Sequence, residues 1–221
     1  IMPLINRVER KWRDFYLDFF AEHPGLEHRK DALSYYYYHL TLNKYHAKVK
    51  AFSNDLTPVV INNFNRYKTL SVLIKWLLEN PKVFVIILDN NSNFEPLLNY
   101  YTSIESRERV LLIPLNLNWG TRKLLPLALA LKRFEKYVIT DPDLIPPNIS
   151  CKETITKLST ELDKNPDLNH VGSSLEIEDL PYHYPLRKKV INWEQKFWKH
   201  RRGDLYLAGV ATTFAMYRAN S

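Results

Sequence analysis

Asp141 and Asp143 stand two apart at the end of an apolar, β-branched run, Tyr-Val-Ile-Thr-Asp-Pro-Asp-Leu-Ile-Pro-Pro at 137–147. On an extended segment side chains two apart point the same way, and Pro142 narrows the backbone freedom that would separate them. Two converging carboxylates repel unless a positive charge lies between them. Oxygen ligands suit a hard cation such as Mg²⁺ or Mn²⁺, which keeps positions open for substrate phosphates. The implied chemistry is the metal-assisted handling of a nucleotide diphosphate. With eleven aspartates in 221 residues a lone Asp-x-Asp arises easily by chance, and the competing reading is a turn in which Asp caps the next segment. Position at a strand end favours the metal.

The same kind of position recurs. Asn62, Asn63, Asn65 and Arg66 follow one apolar run, Asp89, Asn90 and Asn91 a second, and Asn116 and Asn118 a third. Strands are expected at Pro58–Asn62, Val83–Leu88, Val110–Pro114, from Tyr137, and at His170–Ile177. Between them, helices are expected at Thr69–Asn80, with Leu70, Leu73, Ile74 and Leu77 on one face, at Phe94–Tyr101 and at Thr121–Phe134. Ser150 and Glu153 form a capping box for a further helix carrying Ile155, Leu158 and Leu162. Strand alternating with helix predicts an α/β fold, a Rossmann-like, mostly parallel sheet with helices on both faces. Ligands of such sheets bind beyond the carboxyl ends of the strands, where these polar groups fall. Asp89 occupies the place of a ribose-binding acid. Asn62 to Arg66 contains no glycine, so the backbone has no close cradle for a pyrophosphate, and a cation must neutralise it.

Residues 1–56 have a different texture. Trp12, Phe15, Tyr16, Phe19 and Phe20 recur at helical spacing before a run of four tyrosines, Tyr35 to Tyr38. A helical N-terminal extension packed on a catalytic domain at 57–221 is expected. The tyrosines fit docking better than a stacking platform, and His23, His28, His39 and His46 have no ligand-like grouping.

The net charge of +7 is concentrated: residues 181–202 hold seven Lys or Arg against one Glu. This disfavours a chain-wide nucleic-acid surface and suggests one basic patch for a diphosphate, an acidic acceptor or an acidic membrane surface. The longest apolar run, Val83 to Leu88, is far too short to span a bilayer. Without a signal-peptide layout and with Cys151 as the lone cysteine, a cytoplasmic protein with a peripheral membrane contact is expected.

Several segments together resemble the GT-A glycosyltransferases, particularly the bacterial family-2-like enzymes. Pro-Val-Val-Ile-Asn-Asn-Phe-Asn-Arg (58–66) is similar to their opening strand and loop, and Ile-Leu-Asp-Asn-Asn-Ser (87–92) to their second strand with its nucleotide-contacting Asp. Asn118-Trp119-Gly120 resembles the segment before their central helix, and Thr-Asp-Pro-Asp (140–143) their Asp-x-Asp metal motif. The resemblance covers about residues 57–217. It implies a nucleotide-sugar donor, a UDP-sugar first, contacted by Asn63, Asn65, Arg66, Asp89, Asn118, Arg122 and Asp141. Asp141 and Asp143 would hold Mn²⁺ or Mg²⁺, with Asp143 the direct ligand. It further implies transfer to a glycan or other hydroxyl acceptor, with inversion and one general base.

Glu194, in Val-Ile-Asn-Trp-Glu-Gln-Lys-Phe-Trp, is the first candidate for that base and Asp179 the second. A salt bridge within the basic helix is the ordinary alternative for Glu194. Trp193 and Trp198 offer an acceptor-sugar platform, although Val190, Trp193 and Phe197 have the spacing of a core stripe. Family members usually continue beyond the equivalent of Ser221, so a further segment with a metal-binding His or the base is expected outside the sequence, His183 being a substitute ligand. The rival enzyme reading is a sugar-nucleotide nucleotidyltransferase, which lacks support because its glycine-rich loop is missing. A non-catalytic basic nucleic-acid-binding module ranks third.

Overall fold

Residue type makes the centre of the fold. All seven residues of Val-Phe-Val-Ile-Ile-Leu-Asp are buried in strand β2 (Val83–Asp89), as expected of a β-branched run covered on both faces. In this computed structural model, which describes residues 45–115, 118, 131–146, 148–178, 180–208 and 213–219, β2 is flanked by β1 (Thr57–Asn63) and β3 (Val110–Pro114). Beyond β1 lie β4 (Lys136–Thr140), then the C-terminal strand β8 (Phe214–Arg218), then the short β5 (His170–Gly172), giving the order β3-β2-β1-β4-β8-β5. The first four strands are mutually parallel. β8 runs against both its neighbours. The sheet is thus mostly parallel, as the sequence predicts, with one reversed strand. The strand expected at His170–Ile177 ends at Gly172, where its pairing with β8 stops.

Alternation along the strands builds two cores. Val59, Ile61, Val85, Ile87 and Val138 face one way. There they meet helices α1 (Lys68–Leu78), α2 (Glu95–Ile104) and α3 (Cys151–Lys164) through Leu70, Leu73, Ile74, Leu77, Leu97, Tyr101, Ile155, Leu158 and Leu162. Val60, Phe84, Ile86, Leu88, Leu111 and Ile113 face the other way, against Leu131, Phe134, and Tyr45 and Val49 of a helical segment at 45–50. Each fully buried aliphatic side chain contributes about 1.5–3 kcal/mol. Residues 1–44, Arg122, Asp179 and most of the helix expected at Thr121–Phe134 lie outside the described residues.

Local chemistry holds the ends. Ser150 Oγ accepts from the Glu153 amide while the Glu153 carboxylate accepts from the Ser150 amide, the capping box expected from sequence. Arg109 closes the exit of α1 by donating to the carbonyls of Leu78, Asn80 and Val83 at 2.7–2.8 Å. Trp76 of α1 donates its indole N–H to the Ile149 carbonyl at 2.9 Å, tying down the loop that carries Asp141 and Asp143.

Candidate functional site

Chain order reverses between β1 and β4: from β1 the chain steps outward to β2 and β3, then returns to lay β4 on the opposite side. At such a switch point the loops beyond the two strands diverge and leave a crevice. Asn63 ends β1, Asn65 and Arg66 lie just beyond it, and Asp141 and Asp143 follow β4. The register Ile61↔Thr140 brings the two loops side by side.

Arg66 bridges them. Its Nε lies 3.8 Å from Asp143 Oδ2, and both side chains are more than half exposed. Asp141 is partly buried, and its carboxyl is held above the ordinary range, first by burial and then by the negative charge of Asp143. This mutual repulsion is the electrostatic signature of two carboxylates that share a neighbourhood. Among the described residues no group of three His, Cys, Asp or Glu converges to hold a metal. A cation here would have two protein carboxylates and draw its remaining ligands from phosphate and water, a donor set that fits Mg²⁺ or Mn²⁺.

Asp89 is organised differently. It is only 5% exposed, and its Oδ1 accepts from the Tyr101 hydroxyl at 2.9 Å and from Ser92 Oγ at 2.5 Å, while Oδ2 accepts from the Ser92 amide at 2.9 Å. The Tyr101 hydroxyl in turn accepts from Asn63 Nδ2 at 2.7 Å. Burial, with the Asp89 charge beside it, keeps the Tyr101 phenol protonated far above its usual range, so it remains a donor. Three of the four or so acceptor positions on the Asp89 carboxylate are therefore taken by the protein. Asn63 is fully buried, and its Oδ1 has no hydrogen-bond partner among the described residues.

Asn65 adopts a left-handed backbone, φ 53°, a conformation that Asn tolerates better than most residues. Its Oδ1 accepts from the amides of Asn93 and Phe94 at 2.9 and 3.1 Å, and its own amide donates to Ser92 Oγ at 2.9 Å. The β1 and β2 loops are thereby locked together without glycine. An open cleft of about 510 Å³ lies beside this clamp, lined by Asn65, Asn93, Phe94, Glu95 and Pro96. Asp141 and Asp143 do not line it. Asn118, four residues beyond the end of β3, is exposed.

Glu194 closes helix α4 (Arg187–Glu194) and is the one buried residue of that helix. At 8% exposed, its carboxyl is raised above the ordinary range by burial alone. No ion pair joins it to the described residues, so the intrahelical salt bridge weighed from sequence is not what holds it. Trp193 is 58% exposed, which removes the core-stripe reading for that ring. Sequence reasoning missed Tyr101 and Ser92. Ser92 had a signal, three residues after Asp89, where an Asx turn closes; Tyr101, twelve residues on and across the fold, had none.

No family model and no curated protein matches the sequence. Among solved structures the chain is similar to TarS 1-349 from S. aureus, at 16% identity and a TM-score of 0.49, covering 74% of this chain and 47% of that one. It is similar to mannosyltransferase PcManGT from Pyrobaculum calidifontis, solved with GDP-Man and Mn²⁺, at 17% identity and a TM-score of 0.43, covering 85% and 55%. A third likeness is to 4-diphosphocytidyl-2C-methyl-D-erythritolsynthase from Anaerococcus prevotii, at 11% identity and a TM-score of 0.40, covering 76% and 71%. The chain spans about half the length of the first two. Likenesses this distant carry no weight for function, which rests on the chain's own residues.

Proposed function

We propose that this chain is a GT-A-type glycosyltransferase domain that uses a nucleotide-diphosphate sugar, with residues 57–221 as the catalytic domain and 1–56 as a helical extension. The observation that carries this reading is the meeting of Asp143 with Arg66 across the switch point, beside Asp141. A diphosphate needs positive charge where it binds. Arg66 supplies one cation from the β1 loop, and the carboxylate pair attracts a second.

Asp143, the more exposed of the pair, would be the direct ligand of Mn²⁺ or Mg²⁺, and Asp141 would be shared between the cation and the donor's ribose. The bound cation would supply Lewis-acid stabilisation of the departing nucleoside diphosphate. Arg66 exchanges its contact with Asp143 for a phosphate oxygen, a charge-assisted bond stronger than the exposed ion pair it replaces. Asp89, Tyr101 and Asn63 form a rigid floor at the ends of β1 and β2, and the carboxylate's remaining acceptor position receives a donor hydroxyl or N–H. Asn65, Asn118 and Arg122 complete the donor contacts.

Inverting transfer requires a base that takes the proton from the acceptor hydroxyl as it attacks. Glu194 is assigned that role because burial raises its carboxyl above the ordinary range, with no counter-ion among the described residues. Asp179 is the second candidate. The test is donor turnover with Mn²⁺: Asp143→Ala is expected to abolish it, and full activity in that variant removes the metal assignment.

A further inference from the structure

Helix α4 is turned the wrong way for an ordinary surface helix. Its buried residue is a carboxylate, while Leu186 at its start and Trp193 near its end are 51% and 58% exposed. Leu186, Val190, Trp193 and Phe197 recur at helical spacing; Val190 and Phe197 are half-buried, and Leu186 and Trp193 are exposed. The chain continues into a 3-10 turn (Gln195–Trp198) and a hairpin, β6 (Arg201–Arg202) with β7 (Leu205–Tyr206). Trp198 and Tyr206 meet edge to face at 5.1 Å, and the Leu207 amide donates to the His200 carbonyl at 2.8 Å. The hairpin and the turn are thus one surface, with Trp198, Tyr206 and Leu207 all exposed.

Basic residues border these side chains. Lys188 and Lys189 are exposed and make no ion pair with the described residues, nor does Lys199. Lys196 Nζ lies 4.9 Å from the Trp193 ring centroid, and Arg187 lies 4.7 Å over Tyr182. Clustered, exposed apolar side chains on a soluble domain mark an interaction surface.

We infer that the 182–207 surface docks the protein on an anionic lipid bilayer as a peripheral, non-spanning contact. Trp and Tyr rings are suited to the headgroup level, and the lysines supply the attraction to anionic lipid. The two leucines decide between partners. An acidic polymer rewards charge and ring stacking but gives Leu186 and Leu207 nothing, whereas the acyl boundary of a membrane gives each a place out of water. No helix of the described residues is long and apolar enough to cross a membrane, which agrees with a contact that lies on the surface. This docking does not depend on the transferase reading.

Co-sedimentation with vesicles of phosphatidylcholine, alone or mixed with phosphatidylserine, tests it on the full chain. The protein is expected to partition onto the mixed vesicles and far less onto the neutral ones, with a blue shift of tryptophan fluorescence. The triple variant Lys188→Ala, Lys189→Ala, Lys199→Ala should weaken partitioning on the order of a hundredfold, at about fivefold per lysine. Leu186→Ser with Leu207→Ser should weaken it about tenfold or more while leaving its salt dependence unchanged. No partitioning onto the mixed vesicles overturns the proposal, as does binding to heparin with vesicle binding indifferent to the two leucines. Should either variant unfold, the comparison of the two vesicle types and the fluorescence shift in the parent still decide.

Discussion

Arg66 on the loop after β1 reaches to within 3.8 Å of Asp143 on the loop after β4, so the two sides of the switch point are joined by opposite charges in a solvent-exposed setting. Exposed pairs of this kind contribute little to folding, about 0–1 kcal/mol. Arg66→Ala should therefore change the unfolding free energy by about 0.5 kcal/mol or less while weakening nucleoside diphosphate binding about tenfold, the loss of one charge-assisted hydrogen bond. Urea denaturation and nucleotide titration on the same preparation separate the two effects. A large loss of stability with unchanged binding would make Arg66 a structural residue.

Asp141 leads to a pH prediction. Its folded carboxyl holds its proton more tightly than it does in the unfolded chain, because of burial and the Asp143 charge. The associated stability is fully present below the ordinary carboxylate range near pH 4 and is lost as pH rises through the raised value. Asp141→Asn should accordingly be more stable than the parent at neutral pH in the presence of a chelator, with the gap closing as the solution is acidified below about pH 4. Denaturation curves across that range check it, and a gap that does not vary with pH contradicts it.

Tyr101 ties Asn63 to Asp89. Tyr101→Phe removes the hydroxyl but leaves two buried polar groups short of a partner, a cost of about 1–3 kcal/mol. The same variant should loosen nucleotide binding, because the strand-end floor loses its central link. Equal stability of Tyr101→Phe and parent in urea would show that these bonds are replaced by water.

For Glu194, the expectation couples activity and stability in opposite directions. Glu194→Gln keeps the shape, removes a buried carboxyl that has no counter-ion among the described residues, and should leave the fold as stable or more so at neutral pH. Turnover should drop by about 10²–10⁴ with donor KM little changed. Steady-state kinetics at saturating donor measures this. Turnover close to that of the parent moves the base to Asp179 or beyond the sequence.

The sheet was legible where apolar content and period agree. The strands expected at Val83–Leu88 and Val110–Pro114 and the capping box at Ser150 and Glu153 are present, β2 running one residue further to Asp89, because burial on both faces and reciprocal capping are local signals. Less legible was anything set by a distant partner. The reversed strand β8 and the early end of β5 depend on pairing across the sheet, for which short apolar runs carry no direction. The site shows the same division. Asp141 and Asp143 announce themselves by spacing, whereas the enclosure of Asp89 by Tyr101 and Ser92 comes from how α2 packs. Helix α4 misleads for a related reason: its apolar spacing looks like core, yet Leu186 and Trp193 are exposed, Val190 is half-buried, and the buried residue is Glu194.

The most direct measurement is calorimetric titration of the parent protein and Asp143→Ala with UDP and with GDP, each with Mn²⁺ and with chelator. One of these nucleotides is expected to bind the parent, only with the cation present, and Asp143→Ala is expected to abolish that binding while remaining folded. Binding that ignores both chelator and substitution, or no binding of either nucleotide to the parent with Mn²⁺ present, contradicts this expectation.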